Sequence, residues 1–239
     1  DLADVIGQQD AVEALIVAAA GGHNLLMTGP PGVGKTMLAR RLPGILPELD
    51  EAAALTVASI RSLSGESVTR LDRTPPFEAP HHSASIAALV GGGSRVVRPG
   101  AIARASEGVL FLDEAGEHSG GTLDALRQPL ESGTITIHRA GFVATFPARF
   151  QLVLATNPCP CGNHGVRGAE CICTPMAIRR YLGRLSGPLL DRIDIESSVT
   201  RVAVARTRGD VDAVTTASAR ERVRAARART SARLTGTPW

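Results

Sequence analysis

The sequence predicts an α/β fold built on a parallel sheet, and three observations support it. Three short apolar runs, residues 24–28, 108–112 and 150–156, each end in polar residues. The first leads into a glycine-rich turn and then a helical pattern over residues 37–42. Runs this apolar suit strands covered by helices on both faces, which is the environment of a parallel sheet. The 239 residues suit one such domain with a small appendage. Hydrophobic residues make up 44% of the chain and aromatics only 3%, so the core must be largely aliphatic. The net charge of +3 is mild, and arginines are spread through the chain except near its end. Charge alone therefore does not argue for nucleic acid. No signal peptide or long apolar segment is evident, so a cytoplasmic location without membrane is expected. The chain starts at Asp1 and stops at Trp239 just after a basic helical pattern, so a fragment of a longer protein is expected.

The first strand, residues 24–28, runs into Gly29-Pro30-Pro31-Gly32-Val33-Gly34-Lys35-Thr36. Two glycines framing four residues before Lys-Thr form a phosphate loop, which aims backbone N–H groups and a helix start at phosphate oxygens. Lys35 is the single lysine of the chain. Arginine elsewhere reads as a GC-rich coding background, so the lysine marks a place that a broad guanidinium does not fit. An ammonium is a compact charge on a thin stem and reaches β- and γ-phosphates from inside a tight loop. Thr36 offers its hydroxyl to Mg²⁺. A bound nucleoside triphosphate is expected on Gly29, Pro30, Pro31, Gly32, Val33, Gly34, Lys35, Thr36 and Met37. The helix over residues 37–42 should end at Pro43-Gly44.

Residues 75–100, with His81-His82 and Gly91-Gly92-Gly93, are too long and glycine-rich for a simple connection and read as a functional insertion. His81-His82 could meet nucleic acid, a partner subunit or a metal, or serve local packing. The second strand ends in Asp113-Glu114. Asp113 is placed for the Mg²⁺ shell beside Thr36, and Glu114 for polarising a water as general base. Residues 123–131 read as a helix ended by Ser132-Gly133. Residues 134–146 read as a hairpin with a basic tip at Arg139-Ala140-Gly141. The third strand ends in Asn157, whose amide suits a lytic water or γ-phosphate because it donates and accepts without adding charge.

All four cysteines fall within residues 158–175, as Cys159-Pro160-Cys161 and Cys171-Ile172-Cys173. Reduced thiolates joined by a glycine-rich loop suit a closed, structural zinc site, with His164 as a spare ligand. Four free thiols in a surface loop is the alternative. Near the C-terminus, Arg220, Arg222, Arg224, Arg227, Arg229 and Arg233 lie in a helical pattern, which reads as a solvated face or a phosphate-contacting surface.

The three strand motifs, with Arg192 in Gly187-Pro188-Leu189-Leu190-Asp191-Arg192-Ile193-Asp194, resemble the AAA+ ATPase superfamily. A finer resemblance, to the ComM/YifB type within the magnesium-chelatase-like branch, rests on five stretches. They are Gly21-Gly22-His23-Asn24-Leu25-Leu26, Ala79-Pro80-His81-His82-Ser83-Ala84-Ser85, Pro99-Gly100-Ala101-Ile102, Leu126-Arg127-Gln128-Pro129-Leu130-Glu131 and Asn157-Pro158-Cys159-Pro160-Cys161-Gly162. It implies an ATPase core over residues 1–205 with a five-stranded parallel sheet, β-hairpin insertions and the start of a truncated helical lid over 206–239. It also implies a homo-oligomeric ring, often hexameric, with ATP sites at its interfaces. In that pattern Arg192 matches the arginine finger, with Arg184 as the second candidate, and Asp4-Val5-Ile6-Gly7-Gln8 matches the segment that wraps adenine. The activity implied is ATP hydrolysis coupled to DNA remodelling, with helicase or branch-migration work in recombination or transformation. An ATPase subunit of a metal chelatase, or a nucleotide-dependent scaffold with slow turnover, are the alternatives.

Overall fold

The computed structural model describes residues 1–93, 97–139, 142–201 and 213–235. Its strands are β1 (Leu25–Thr28), β2 (Phe77–Glu78), β3 (Gly91–Gly92), β4 (Arg98–Pro99), β5 (Val109–Leu112), β6 (Thr134–Arg139), β7 (Phe142–Pro147), β8 (Gln151–Thr156) and β9 (Ile195–Ser198). Its α-helices are α1 (Gln9–Gly21), α2 (Lys35–Ala39), α3 (Leu42–Ile45), α4 (Glu51–Leu63), α5 (Ile86–Val90), α6 (Ala101–Arg104), α7 (Gly120–Asp124), α8 (Arg127–Ser132), α9 (Pro175–Leu182), α10 (Gly187–Leu190) and α11 (Thr216–Leu234).

Five strands form one sheet in the order β2-β5-β8-β1-β9, and every pairing is parallel. Alternation along each strand divides the core between the two faces. Leu25, Met27, Val109, Phe111, Val153 and Ala155 pack on one face with helices α1, α2 and α3. Leu26, Leu110, Leu112, Leu152 and Leu154 pack on the other with α6 and residues of the β6–β7 hairpin. Register does the rest. Leu112 lies opposite Leu154, and Thr28 opposite Thr156, so β5, β8 and β1 stop at one edge. The residues after those strands are thereby gathered at the carboxyl edge of the sheet, where parallel sheets hold their ligands.

Several expected elements differ in detail. Pro43-Gly44 does not end the helix after the glycine loop. That helix stops at Ala39, and a new one, α3, starts at Leu42 with Pro43 in its first turn, where a missing N–H costs no hydrogen bond. The single helix expected over 123–131 is two, α7 and α8, for the same reason: the restart puts Pro129 in a first turn. Gly133 caps α8 as expected. Of the insertion over residues 75–100, Phe77–Glu78 is the edge strand of the main sheet, and β3 pairs antiparallel with β4. The hairpin is present as β6 paired with β7. Its tip, Ala140-Gly141 with the Arg139 side chain, lies outside the described residues, as does the 205/206 boundary.

The arginine-rich pattern is helix α11, and only part of it is a solvated face. Ala219 and Val223 are buried among residues of α1 and α3. Arg222 makes two hydrogen bonds to Glu13, at 2.8 and 2.7 Å. Arg227 donates twice to the carbonyl of Ala19, at 2.9 and 2.7 Å, in the last turn of α1, where the helix dipole favours a cation. Arg220 donates to the carbonyl of Gly44. Arg224, Arg229 and Arg233 are exposed. Among the described residues no helix is long and apolar enough to cross a membrane.

Candidate functional site

A cleft of about 370 Å³ lies at the carboxyl edge of the sheet, lined by residues 31–37, Asp113, Glu114 and the Ala155-Thr156-Asn157 end of β8. Gly34 sits at the helix start with φ 97°, a conformation that favours glycine and lets the chain turn sharply into α2. The following side chain, Lys35, is only 8% exposed. Its ammonium donates to the carbonyls of Gly29 (2.6 Å) and Pro30 (2.9 Å) and to Asn157 Oδ1 (3.0 Å). Those three bonds use all three of its donors. Burial lowers the Lys35 pKa below the ordinary lysine value, and the charges of Asp113 and Glu114 oppose that shift. The Thr36 hydroxyl donates to Asp113 Oδ2 at 2.5 Å. A hydroxyl and a carboxylate oxygen converging beside an ammonium and a helix start suit a phosphate chain with a hard, oxygen-loving cation. Lys35, Thr36, Asp113, Glu114 and Asn157, expected together from sequence, do line one cleft.

Glu114 follows β5 in the left-handed conformation, φ 51°, with its N–H donating to Asp113 Oδ1 at 3.0 Å. Its carboxylate meets His82, whose Nδ1 lies 2.7 Å from Oε2. His118, fully buried, places Nε2 3.2 Å from the carbonyl of Asp113. Its Nδ1 has no hydrogen-bond partner, and burial lowers its pKa. Sequence reasoning singled out neither His118 nor the contact of His82 with Glu114. The adjacent histidine pair was the only signal available.

Other expected residues lie outside this cleft. Arg192 is tied to the Glu131 carboxylate and to the Pro188 carbonyl. Its own carbonyl accepts from Asn24 Nδ2 at 2.8 Å. Arg184 donates to the carbonyl of Gly116 and to Glu117. Neither guanidinium lines the cleft of its own chain. Val5 is buried, Ile6 exposed, and Gly7 has φ 71°. None of the three lines the cleft, but the next residue, Gln8, donates to the carbonyls of Val33 and Thr200 and so ties this segment to the glycine loop.

The four cysteines come together. Sγ atoms of Cys159, Cys161 and Cys171 are 3.4, 3.7 and 3.8 Å apart, and all four lie within 4.8 Å of one another. Metal–sulfur bonds of about 2.3 Å give a tetrahedron with edges of about 3.8 Å, so the cluster can hold a metal ion. Backbone N–H groups turn inward on the sulfurs. His164 N–H lies 3.3 Å from Cys159 Sγ, and the N–H of Asn163 pulls the Cys161 pKa down to about 6. The His164 side chain is not in the cluster. Gly162, at φ 78°, lies against the glycine loop, and a Cβ there would be 2.4 Å from Pro31 Cδ. The cysteine loop is thus packed on the loop that forms the cleft.

Comparison with known proteins identifies the family of the chain. The family model described as magnesium chelatase, subunit ChlI, matches residues 1–207. An uncharacterized protein of Mycobacterium tuberculosis is 55% identical over 229 residues, covering 95% of this chain and 45% of that protein. The competence protein ComM of Haemophilus influenzae is 55% identical over 200 residues, covering 83% of this chain and 39% of ComM. The chain thus spans about half the length, or less, of these curated relatives. Among solved structures, one of the complex between magnesium chelatase subunits BchI and BchD aligns with a TM-score of 0.59 at 23% identity, covering 99% of this chain and 77% of that one. That likeness concerns the fold. The chain belongs to the magnesium chelatase, subunit ChlI, family of AAA+ proteins, and within it is similar to ComM.

Proposed function

We propose that this chain is the ATPase core of a ring motor of the ComM/YifB type that remodels DNA in the cytoplasm. The observation that supports it best is the convergence of Lys35, Thr36, Asp113, Glu114 and Asn157 on one cleft. The backbone N–H groups of Gly32, Val33, Gly34, Lys35 and Thr36 and the Lys35 ammonium hold the β- and γ-phosphates, with one carbonyl bond of Lys35 exchanged for a phosphate oxygen. Thr36 and Asp113 would hold Mg²⁺, which when bound neutralises charge on the phosphates. Glu114 takes a proton from a water as its oxygen bonds to the γ-phosphorus and the bond to the β-phosphate oxygen breaks, leaving ADP and phosphate. Asn157 orients that water. Arg192 of a neighbouring copy stabilises the charge on the transferred group, which agrees with its absence from its own cleft. The backbone of Val5, Ile6 and Gly7 wraps the adenine, and the four cysteines hold a structural zinc. DNA meets the hairpin tip near Arg139 and the segment around His81 inside a hexameric ring.

Support for DNA is the likeness to a competence protein. The family description supports a second reading, the ATPase subunit of a metal chelatase. ATPase rates of the full-length protein with and without single- and double-stranded DNA separate them. Stimulation by DNA supports the motor. Stimulation only by a porphyrin-binding partner supports the chelatase. A cleft that binds ATP and turns it over negligibly with either supports a scaffold.

A further inference from the structure

The Arg192 side chain, just after α10, is held from two sides. One hold is local: Nη1 donates to the carbonyl of Pro188, one turn back in α10. The other is distant in sequence: Nη2 meets the carboxylate of Glu131, in the last turn of α8. The backbone is fixed separately. The Arg192 carbonyl accepts from Asn24 Nδ2 at 2.8 Å, and Asn24 Oδ1 accepts from the Leu152 N–H of β8, also at 2.8 Å. The Asn24 N–H donates to Asp194 Oδ2 at 2.7 Å. Asn24 precedes β1 and Leu152 lies near the start of β8, so Arg192 stands at the amino edge of the sheet, opposite the cleft of its own chain. With its backbone fixed there, what is left to decide is where the guanidinium points.

The pair with Glu131 does little for the fold. The Arg192 side chain is 26% exposed and that of Glu131 58%, and ion pairs this open to water add little stability. Its effect is on direction. An arginine side chain has many rotamers, and a free one gives up that freedom when it engages a transition state. A guanidinium pinned at two points has given it up beforehand, which is the preorganisation that charge stabilisation requires. Pinning does not exhaust its donors. Nη1 and Nη2 carry two N–H groups each, so each keeps one beyond these contacts. We propose that Glu131 is a positioning residue that acts through Arg192: its carboxylate aims the guanidinium at the cleft of a neighbouring copy. The inference rests on the ATPase function proposed above, with Arg192 acting in the neighbouring cleft.

The test is ATP hydrolysis by the full-length protein, with nucleotide affinity and assembly measured beside it. Glu131→Ala should assemble and bind ATP as the parent does, with kcat lower by about ten- to a hundredfold, the range for a group misplaced rather than missing. Subunit mixing separates aim from fold. Glu131→Ala subunits keep an intact cleft, so mixed with Lys35→Ala subunits they should recover turnover, because the neighbour supplies a well-aimed arginine. Mixed with Arg192→Ala subunits they should gain nothing, because no subunit then supplies one. If Glu131→Ala does not assemble, Glu131→Gln, which keeps an oxygen acceptor without the charge, takes its place in both mixtures with the same results expected. A parental or raised kcat in Glu131→Ala would overturn the inference, as would a loss of nucleotide affinity. Rescue of Arg192→Ala by Lys35→Ala without rescue of the Glu131 variant would overturn it too, since Glu131 would then not act through Arg192. If Lys35→Ala rescues neither, Arg192 does not act in the neighbouring cleft, and the inference falls with that reading.

Discussion

Replacing Cys159 and Cys161 by serine tests whether the sulfur cluster is a metal site and what it does for the fold. Three Sγ separations of 3.4–3.8 Å match the edges of a tetrahedron of zinc–sulfur bonds, so the parent should carry about one zinc per chain when purified without added metal. The ion would close residues 159–173 into a loop of about 15 residues, and closing a loop of that length stabilises by about 3 kcal/mol in the chain-entropy estimate used for cross-links. A domain of this size shifts its melting midpoint by about 2–4 °C per kcal/mol. The double variant should therefore lose its zinc and melt about 6–12 °C lower. Because Gly162 lies against Pro31, nucleotide affinity should fall with it. Metal analysis of purified protein and thermal melting, with and without a chelator, read these outcomes. A parent without metal, whose four thiols all react freely with a thiol reagent under native conditions, would refute the reasoning.

Lys35→Arg should lower nucleotide affinity at least tenfold in calorimetric titration, equivalent to one charged hydrogen bond of about 1.5 kcal/mol or more. The buried ammonium meets two loop carbonyls and Asn157, an arrangement too tight for a planar guanidinium, so near-parental affinity would contradict the steric argument. Arg192→Ala should bind ATP normally yet fail to hydrolyse it in a pure assembly. Mixed with Lys35→Ala subunits it should recover turnover, because an intact cleft then receives its neighbour's arginine. Failure to complement, with co-assembly confirmed, would remove Arg192 from the neighbouring site and leave Arg184 as the candidate.

The central strands were legible because β5 and β8 are buried on both faces and so read as unbroken apolar runs. The edges were not. β2 is two residues long, and β9 is only partly buried, so neither carries a pattern. Proline misled where position within a helix decides its effect: Pro43 and Pro129 begin helices rather than ending one or continuing another. Within the cleft, Lys35, Thr36, Asp113, Glu114 and Asn157 were legible because loop spacing and strand ends fix them. The His82–Glu114 contact was not, since it joins residues 32 positions apart through the path of a loop. Nor was the docking of Arg220, Arg222 and Arg227, which depends on where α11 meets α1 and α3.

The central claim is that this cleft hydrolyses ATP with Glu114 as the base. The most direct measurement incubates full-length Glu114→Gln with ATP and Mg²⁺, isolates the protein and identifies the bound nucleotide. Glu114→Gln keeps Lys35, Thr36 and Asp113, so it should retain ATP unhydrolysed under conditions in which the parent yields ADP and Lys35→Ala retains nothing. Recovery of ADP at the parental rate from Glu114→Gln would contradict the claim.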